Sequence, residues 1–161
     1  MLRRSLLTSA IAASLLTTFS LPAFATQVYE TDLVIIGGGL SGLAAAQSAV
    51  DQGAKPIVLE KEAALGGGGN FPEGSLGVGT RYQKEHNINT TVDQVLTAAL
   101  QYHHYRADPH VLRVLIEESG KTIDWVMDKG AQMRGIRTMY PKDESLMTWH
   151  LFKGGAAGII Q

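Results

Sequence analysis

The first clear pattern along the chain is Leu33-Val34-Ile35-Ile36, an uninterrupted apolar run of strand length, which predicts a strand buried on both faces of a parallel sheet. Glycines follow at once. Leu43 to Val50 is alanine-rich and predicts a helix packed closely on that sheet, with Gly53 where a helix C-cap belongs. Ile57-Val58-Leu59 predicts a second buried strand, so Asp32 to Lys61 has the size of one βαβ unit. Residues 66 to 79 are glycine-rich, with Gly66 to Gly69 in one block, and predict a loop whose backbone takes positive φ or approaches something closely.

Helical spacing resumes near Thr91, with Val92, Val95, Leu96 and Ala99 on one face. Asp108-Pro109 predicts an N-cap followed by proline in the first turn, and Val111, Leu112, Leu115 and Ile116 form the next apolar stripe. Ile123, Val126 and Met127 continue the helix until Gly130. The last residues, Gly154 to Gln161, predict a glycine turn opening a new helix with no room to extend. One βαβ unit is evident where a dinucleotide fold is assembled from two halves. The expected class is therefore α/β: a Rossmann-like βαβ unit followed by helices, incomplete, with the rest of its domain absent.

Residues 1–25 read as a signal peptide, leaving 26–161 as the N-terminal part of a nucleotide-binding domain. Arg3 and Arg4 form the charged n-region, Leu6 to Leu21 the apolar run, and Ala23-Phe24-Ala25 the cleavage site. The alternative is an uncleaved anchor, but this run is shorter than the roughly 20 residues of a spanning helix. The adjacent arginines also suit a twin-arginine signal, leaving the export route open between the two pathways. An exported, periplasmic protein without a stable membrane span is the expectation. Removing the segment leaves 12 basic against 15 acidic residues, which offers no footprint for nucleic acid. The chain has no cysteine, which excludes disulfides, thiolate metal sites and haem attachment through C-x-x-C-H in this stretch.

The residues that carry chemistry are Gly37-Gly38-Gly39-Leu40-Ser41-Gly42 after the first strand, with Glu60 ending the second. In a G-x-G-x-x-G turn Gly37 makes the tight bend, Gly39 lets a pyrophosphate approach, and Gly42 permits close helix packing. The amides of Leu40 and Ser41 lie at the positive end of the helix dipole. Glu60 is placed to accept hydrogen bonds from the adenosine ribose. This fingerprint leaves NAD and FAD open. The second glycine loop, Gly66 to Asn70, favours FAD, because an NAD enzyme has no role for it there.

Four segments then carry a specific resemblance: VIIGGGLSGLAAA, VLEK followed by GGN, ADPHVLRVLIEESGKTIDWVMDKGA, and WHLFKGGAAG. The chain resembles the soluble fumarate reductase and succinate dehydrogenase flavoproteins, closest to the exported flavocytochrome c and urocanate reductase-like branch. That resemblance implies FAD contacts at Gly37, Gly39, Ser41, Gly42, Glu60, Lys61, Gly69, Asn70 and Phe71, and Leu40, Gly68 and Gly77 are expected to bind the cofactor with them. It implies an FAD-dependent oxidoreductase moving hydride between flavin and a carbon–carbon bond beside a carboxylate or carbonyl. Its small-molecule substrate would be an unsaturated carboxylate or related enone, with a separate electron donor. A capping domain and the catalytic groups would lie beyond Gln161, so no catalytic residue is assigned here. Asn70 stands where membrane-bound members carry the histidine that links FAD, so the flavin is expected to be non-covalent. Leu76-Gly77 replaces a glycine pair of the family. A ketosteroid dehydrogenase-like enzyme and a truncated, non-catalytic FAD-binding module are the alternatives.

His103 and His104 diverge by about 100° on a helix and lack a partner at ligand spacing, so they read as solvated helix residues and no metal is expected. His150 reads as a structural hydrogen-bonding residue ahead of a substrate contact. Trp125 reads as core, and Asp93, Glu117 and Glu118 as solvated helix faces. N-terminal sequencing of the exported protein should begin at Thr26; an intact Met1 in a membrane fraction would refute cleavage.

Overall fold

The computed structural model describes residues 27–139, 146–155 and 157–160. The expected signal peptide and its cleavage site lie outside the described residues. The chain divides into residues 1–30, of which 27–30 are described and carry no regular element, and a unit Thr31–Gln161 that holds every element below.

Strand β1 (Leu33–Ile36), helix α1 (Leu40–Asp51) and strand β2 (Pro56–Leu59) form the expected βαβ unit. The strands pair in parallel, Leu33 opposite Pro56 through Ile36 opposite Leu59. Asp32 clamps the start of the ladder by accepting the Lys55 amide at 2.8 Å. Gly53, at φ +84°, lets the chain leave α1 in a left-handed turn.

The expected two-sided burial of β1 is not found: Val34 is 51% and Ile36 88% exposed. Among the described residues this sheet has two strands and one covering helix, so β1 keeps a free edge and an uncovered face. The apolar composition reports the burial this strand is suited to, and the described elements supply only part of it.

The glycine-rich stretch is more structured than a loop. It contains a 3₁₀ turn (Gly67–Asn70) and strand β3 (Gly74–Leu76), followed by helix α2 (Arg81–Glu85). Helix α3 (Val92–Tyr102) and helix α4 (Pro109–Asp128) follow near their expected bounds. Thr80 and Thr91 each close a capping box, with Gln83 and Gln94 respectively, and Asp108 caps α4 through the amides of His110 and Val111.

Val95, Leu96 and Ile116 meet Val78 in the core, ringed by Leu76, Val92, Leu100 and Leu112. The α4 stripe differs from expectation: Val111 and Leu115 are exposed, and the buried face is Ile116, Ser119, Gly120 and Ile123. Helical phase explains the shift. The face toward the core carries a serine and a glycine because the backbone at Val78 passes close by; a Cβ on Gly120 would sit 2.1 Å from the Val78 carbonyl oxygen. Ser119 Oγ accepts the Val78 amide at 3.1 Å and donates to Ile116 O.

Strands β4 (Met133–Thr138) and β5 (Met147–Phe152) complete an antiparallel sheet ordered β3-β5-β4. A glycine turn, Gly154 at φ +77° and Gly155 at φ +62°, then opens the short helix α5 (Ala157–Ile160).

On β5 the inward positions are Thr148, His150 and Phe152, all buried. The His150 ring is fully enclosed. Its Nδ1–H donates to Thr148 O at 3.1 Å, and its Nε2 accepts the Thr80 hydroxyl at 2.9 Å. Gln83 ties the same segment down, its Nε2 donating to Met147 O at 2.7 Å while Oε1 accepts the Gly79 amide. Burial pushes the His150 pKa down, so the folded state favours the neutral ring. The unfolded chain therefore binds the extra proton first, and stability that is full above pH ~6.5 falls as the pH drops toward the folded pKa. Denaturant midpoints measured from pH 8 to 5 should fall on the acid side, and His150→Gln should flatten that slope.

Candidate functional site

The fingerprint glycines owe their identity to three different causes. Gly37, at φ +102°, turns the chain out of β1, and its amide donates to Leu59 O at 2.8 Å, joining the ends of both strands. At Gly42 the cause is packing, because a Cβ would lie 1.9 Å from Gly37 O. Gly39 has neither reason. Its φ is −71°, and the nearest atom to an added Cβ is Gly66 O at 4.0 Å. A side chain there would project into open space before α1, which is where an approaching ligand needs bare backbone.

The start of α1 is open in a second sense. Side chains cap α2, α3 and α4, whereas α1 begins on Gly39 with no side-chain cap and no acid in its first turn. The first backbone bond back to the cap is Leu43 N–H to Gly39 O at 2.9 Å, so the amides of Leu40, Ser41 and Gly42 lie ahead of it. No carboxylate within that first turn balances their dipole.

Glu60 connects β2 to this turn. Its Oε2 accepts the Gly38 amide at 2.6 Å, and its Oε1 accepts the Glu62 amide at 2.9 Å. The Glu62 amide, followed by that of Gly38, holds the Glu60 carboxyl below the ordinary range, so the group is anionic near neutrality. On the other side of the same residue, Gly38 O accepts the Gly66 amide at 2.7 Å, and Gly39 bridges Gly66 in parallel. The two glycine loops are thus one hydrogen-bonded unit.

Gly69 packs against the Leu40 side chain, while Gly68 has normal φ and nothing within 4 Å of an added Cβ, the same signature as Gly39. Asn70 donates through Nδ2 to Leu65 O at 2.9 Å and to Gly67 O at 3.3 Å. Lys61 extends into solvent and pairs with Glu62 at 3.6 Å, and Phe71 is 85% exposed beside the loop.

Gly77 stands apart from this cluster. It is buried, and a Cβ would lie 2.8 Å from both the His150 ring and Ile123, so packing explains the glycine. His150 itself is sealed in the core. His103 and His104 are exposed at the end of α3, His104 with φ +52°, and so lie past the helix body expected for them. Trp125 is half-buried beside Lys129, whose Nζ lies 6.0 Å from the ring centroid; it therefore sits at a junction and not in the core. Asp93 and Glu117 pair with Arg113, and Glu118 with Lys121, all on exposed faces. Among the described residues no three His, Cys, Asp or Glu side chains converge as metal ligands.

Sequence reasoning missed Gly38 and Gly66, the two residues at the centre of the unit. The signal was the middle glycine of the fingerprint and the first of the four-glycine block. It also missed Ile160, whose Cδ1 reaches to 2.4 Å from where a Gly66 Cβ would stand. No sequence pattern announces that contact.

The sequence profile of the FAD binding domain family matches residues 32–156. The chain belongs to that family. Membership implies FAD as the dinucleotide that the fingerprint left open. The chain is 35% identical over 129 residues to a vinyl phenol reductase of Lactiplantibacillus plantarum, covering 80% of this chain and 26% of that protein. It is 31% identical over 119 residues to a fumarate reductase (cytochrome) of Shewanella frigidimarina, covering 73% and 21%. The open conformation of a flavocytochrome c3 fumarate reductase superposes with a TM-score of 0.65 at 21% identity, over 97% of this chain and 26% of that one. The FAD-binding fold begun by the βαβ unit is therefore the observed class. The relatives belong to the fumarate reductase group of flavoproteins that the four segments resemble, and the chain spans about a quarter of their length or less.

The residues present fit the ADP half of FAD. Bare backbone at Gly39 and Gly68, uncapped amides at α1 and the anionic Glu60 at the end of β2 match a pyrophosphate and a ribose diol. Paired substitutions separate ligand from packing. Gly39→Ala should leave the unfolding midpoint unchanged but weaken FAD roughly tenfold or more, read by flavin fluorescence titration. Gly42→Ala should cost about 1–3 kcal/mol of stability through overpacking.

Proposed function

We propose that this chain is the nucleotide-binding part of an exported, periplasmic FAD-dependent oxidoreductase acting on a carbon–carbon bond adjacent to a carboxylate or carbonyl. The observation that carries this reading is the joined pair of glycine loops before an uncapped helix, with Glu60 gripping the turn from β2. Family membership supports FAD as the ligand. Two relatives are named as reductases of vinyl phenol and of fumarate, both molecules with a carbon–carbon double bond; fumarate, with its adjacent carboxylates, supports the substrate class, and vinyl phenol supports the alkene alone.

When bound, FAD supplies the two-electron redox step. The chain's own residues bind and orient it: the amides of Leu40 and Ser41 face the pyrophosphate, Glu60 the ribose, and Gly39 and Gly68 permit close approach. Asn70 offers a carboxamide, which lacks the nucleophilic ring nitrogen needed for a covalent flavin bond, so FAD is held non-covalently. Both Glu60 oxygens already accept backbone amides, which suits a ribose-binding group and not a proton donor. Substrate clamping and proton delivery fall to residues outside this set, and electrons to a separate donor. No helix among the described residues is long and apolar enough to cross a membrane.

Acid precipitation of the flavin-loaded protein should leave the flavin in the supernatant; a yellow pellet would overturn non-covalent binding. The 161-residue chain supplied with FAD, a reduced artificial donor and fumarate or urocanate should oxidise donor only at the free-flavin rate. Turnover above that background would show that the proton donor is among these residues.

A further inference from the structure

The resemblance places Asn70 among the flavin contacts, yet its amide is spent elsewhere. Both of its N–H bonds have acceptors within its own loop, at Leu65 O and Gly67 O, and these two carbonyls bracket Gly66. Gly66 takes φ +104°, and a Cβ built there would lie 2.6 Å from both Asn70 Nδ2 and Oδ1. The carboxamide therefore fills the place a side chain would take and braces the left-handed residue from both sides. Gly66 in turn donates to Gly38 O at 2.7 Å, and Gly38 donates to Glu60 Oε2 at 2.6 Å.

We propose that Asn70 is a positioning residue for the adenosine–pyrophosphate half of the cofactor site, acting through Gly66 and Gly38 on the fingerprint turn and on Glu60. The inference rests on the FAD reading above. It differs from a flavin-contact role in what it couples to. A contact with the isoalloxazine ring affects only ligands that carry the ring, whereas a brace on Gly66 affects any ligand that uses the fingerprint turn. A carboxamide suits the task because one planar nitrogen reaches two carbonyls. A carboxylate of the same shape removes both donors and sets negative charge against both acceptors.

The test compares wild type with Asn70→Asp, which keeps the volume, and with Asn70→Ala. Without ligand, hydrogen exchange at the Gly66 and Gly38 amides should accelerate roughly tenfold in both variants, while core amides of Val95 and Ile116 keep their protection and report that the fold is intact. By calorimetry, Kd for ADP and for FAD should both rise, by the same factor of roughly ten. A role in packing alone would leave Asn70→Asp close to wild type and would overturn the proposal. Weakened FAD with unchanged ADP would overturn it in favour of a direct flavin contact. Unchanged exchange at Gly38 and Gly66 would show that the brace is not transmitted. A wild-type chain that binds neither ADP nor FAD would overturn the FAD reading and the positioning role with it, an outcome distinguishable because the exchange measurement needs no ligand.

Discussion

Gly38 is held from both sides, its N–H by the Glu60 carboxylate and its C=O by the Gly66 amide. These two bonds add to the Gly37 amide on Leu59 O and the Gly39–Gly66 bridge in fixing the turn between β1 and α1. Glu60 relates the turn to β2, so the position of the adjacent strand is felt at the helix start. Gly66 relates it to the second glycine block, which arrives from a different direction in the chain. An anionic acceptor for one amide and a backbone donor for one carbonyl are modest interactions singly. Their value lies in meeting on one residue, which fixes the peptide plane on each side of its Cα.

Around this point the described elements fall into two groups: β1, α1 and β2 with the glycine loops, and the β3-β5-β4 sheet packed against α4, which α3 lines. Among the described residues, two connections besides the chain itself stand out between them. Lys129, at the end of α4, donates to Asp51 at the end of α1 at 2.6 Å, and the hydrogen bond from Lys129, with that from Gln47, holds the Asp51 carboxyl below its ordinary range. The second connection is α5, which leaves β5 through a glycine turn and brings Ile160 against Gly66.

Much of this was legible in the residues, and the exceptions have physical causes. The βαβ unit was readable because Leu33 to Ile36 and Ile57 to Leu59 are apolar without interruption and Gly53 marks a stop. Asp108-Pro109 located the start of α4 to the residue. Strand β5 was not readable, because two of its three inward positions, Thr148 and His150, are polar and satisfied by partners distant in sequence. Hydrophobic alternation is then absent even though burial alternates. The role of Asn70 was hidden for a related reason: its acceptors are backbone carbonyls, which no sequence displays. Gly77 looked like its neighbours in a glycine-rich stretch, and only the ring of His150 beside it reveals a packing cause.

The bare first turn of α1 has a consequence for the protein before any chemistry occurs. Helices α2, α3 and α4 begin on the chain's own threonine or aspartate, whereas the start of α1 is open to a bound anion. Occupancy and helix fraying then form a single linked equilibrium. A ligand present at a hundred times its Kd adds about 2.7 kcal/mol to the folded state. Flavin supply would accordingly set how long the newly made chain survives proteolysis, making the cofactor a determinant of abundance as well as of chemistry.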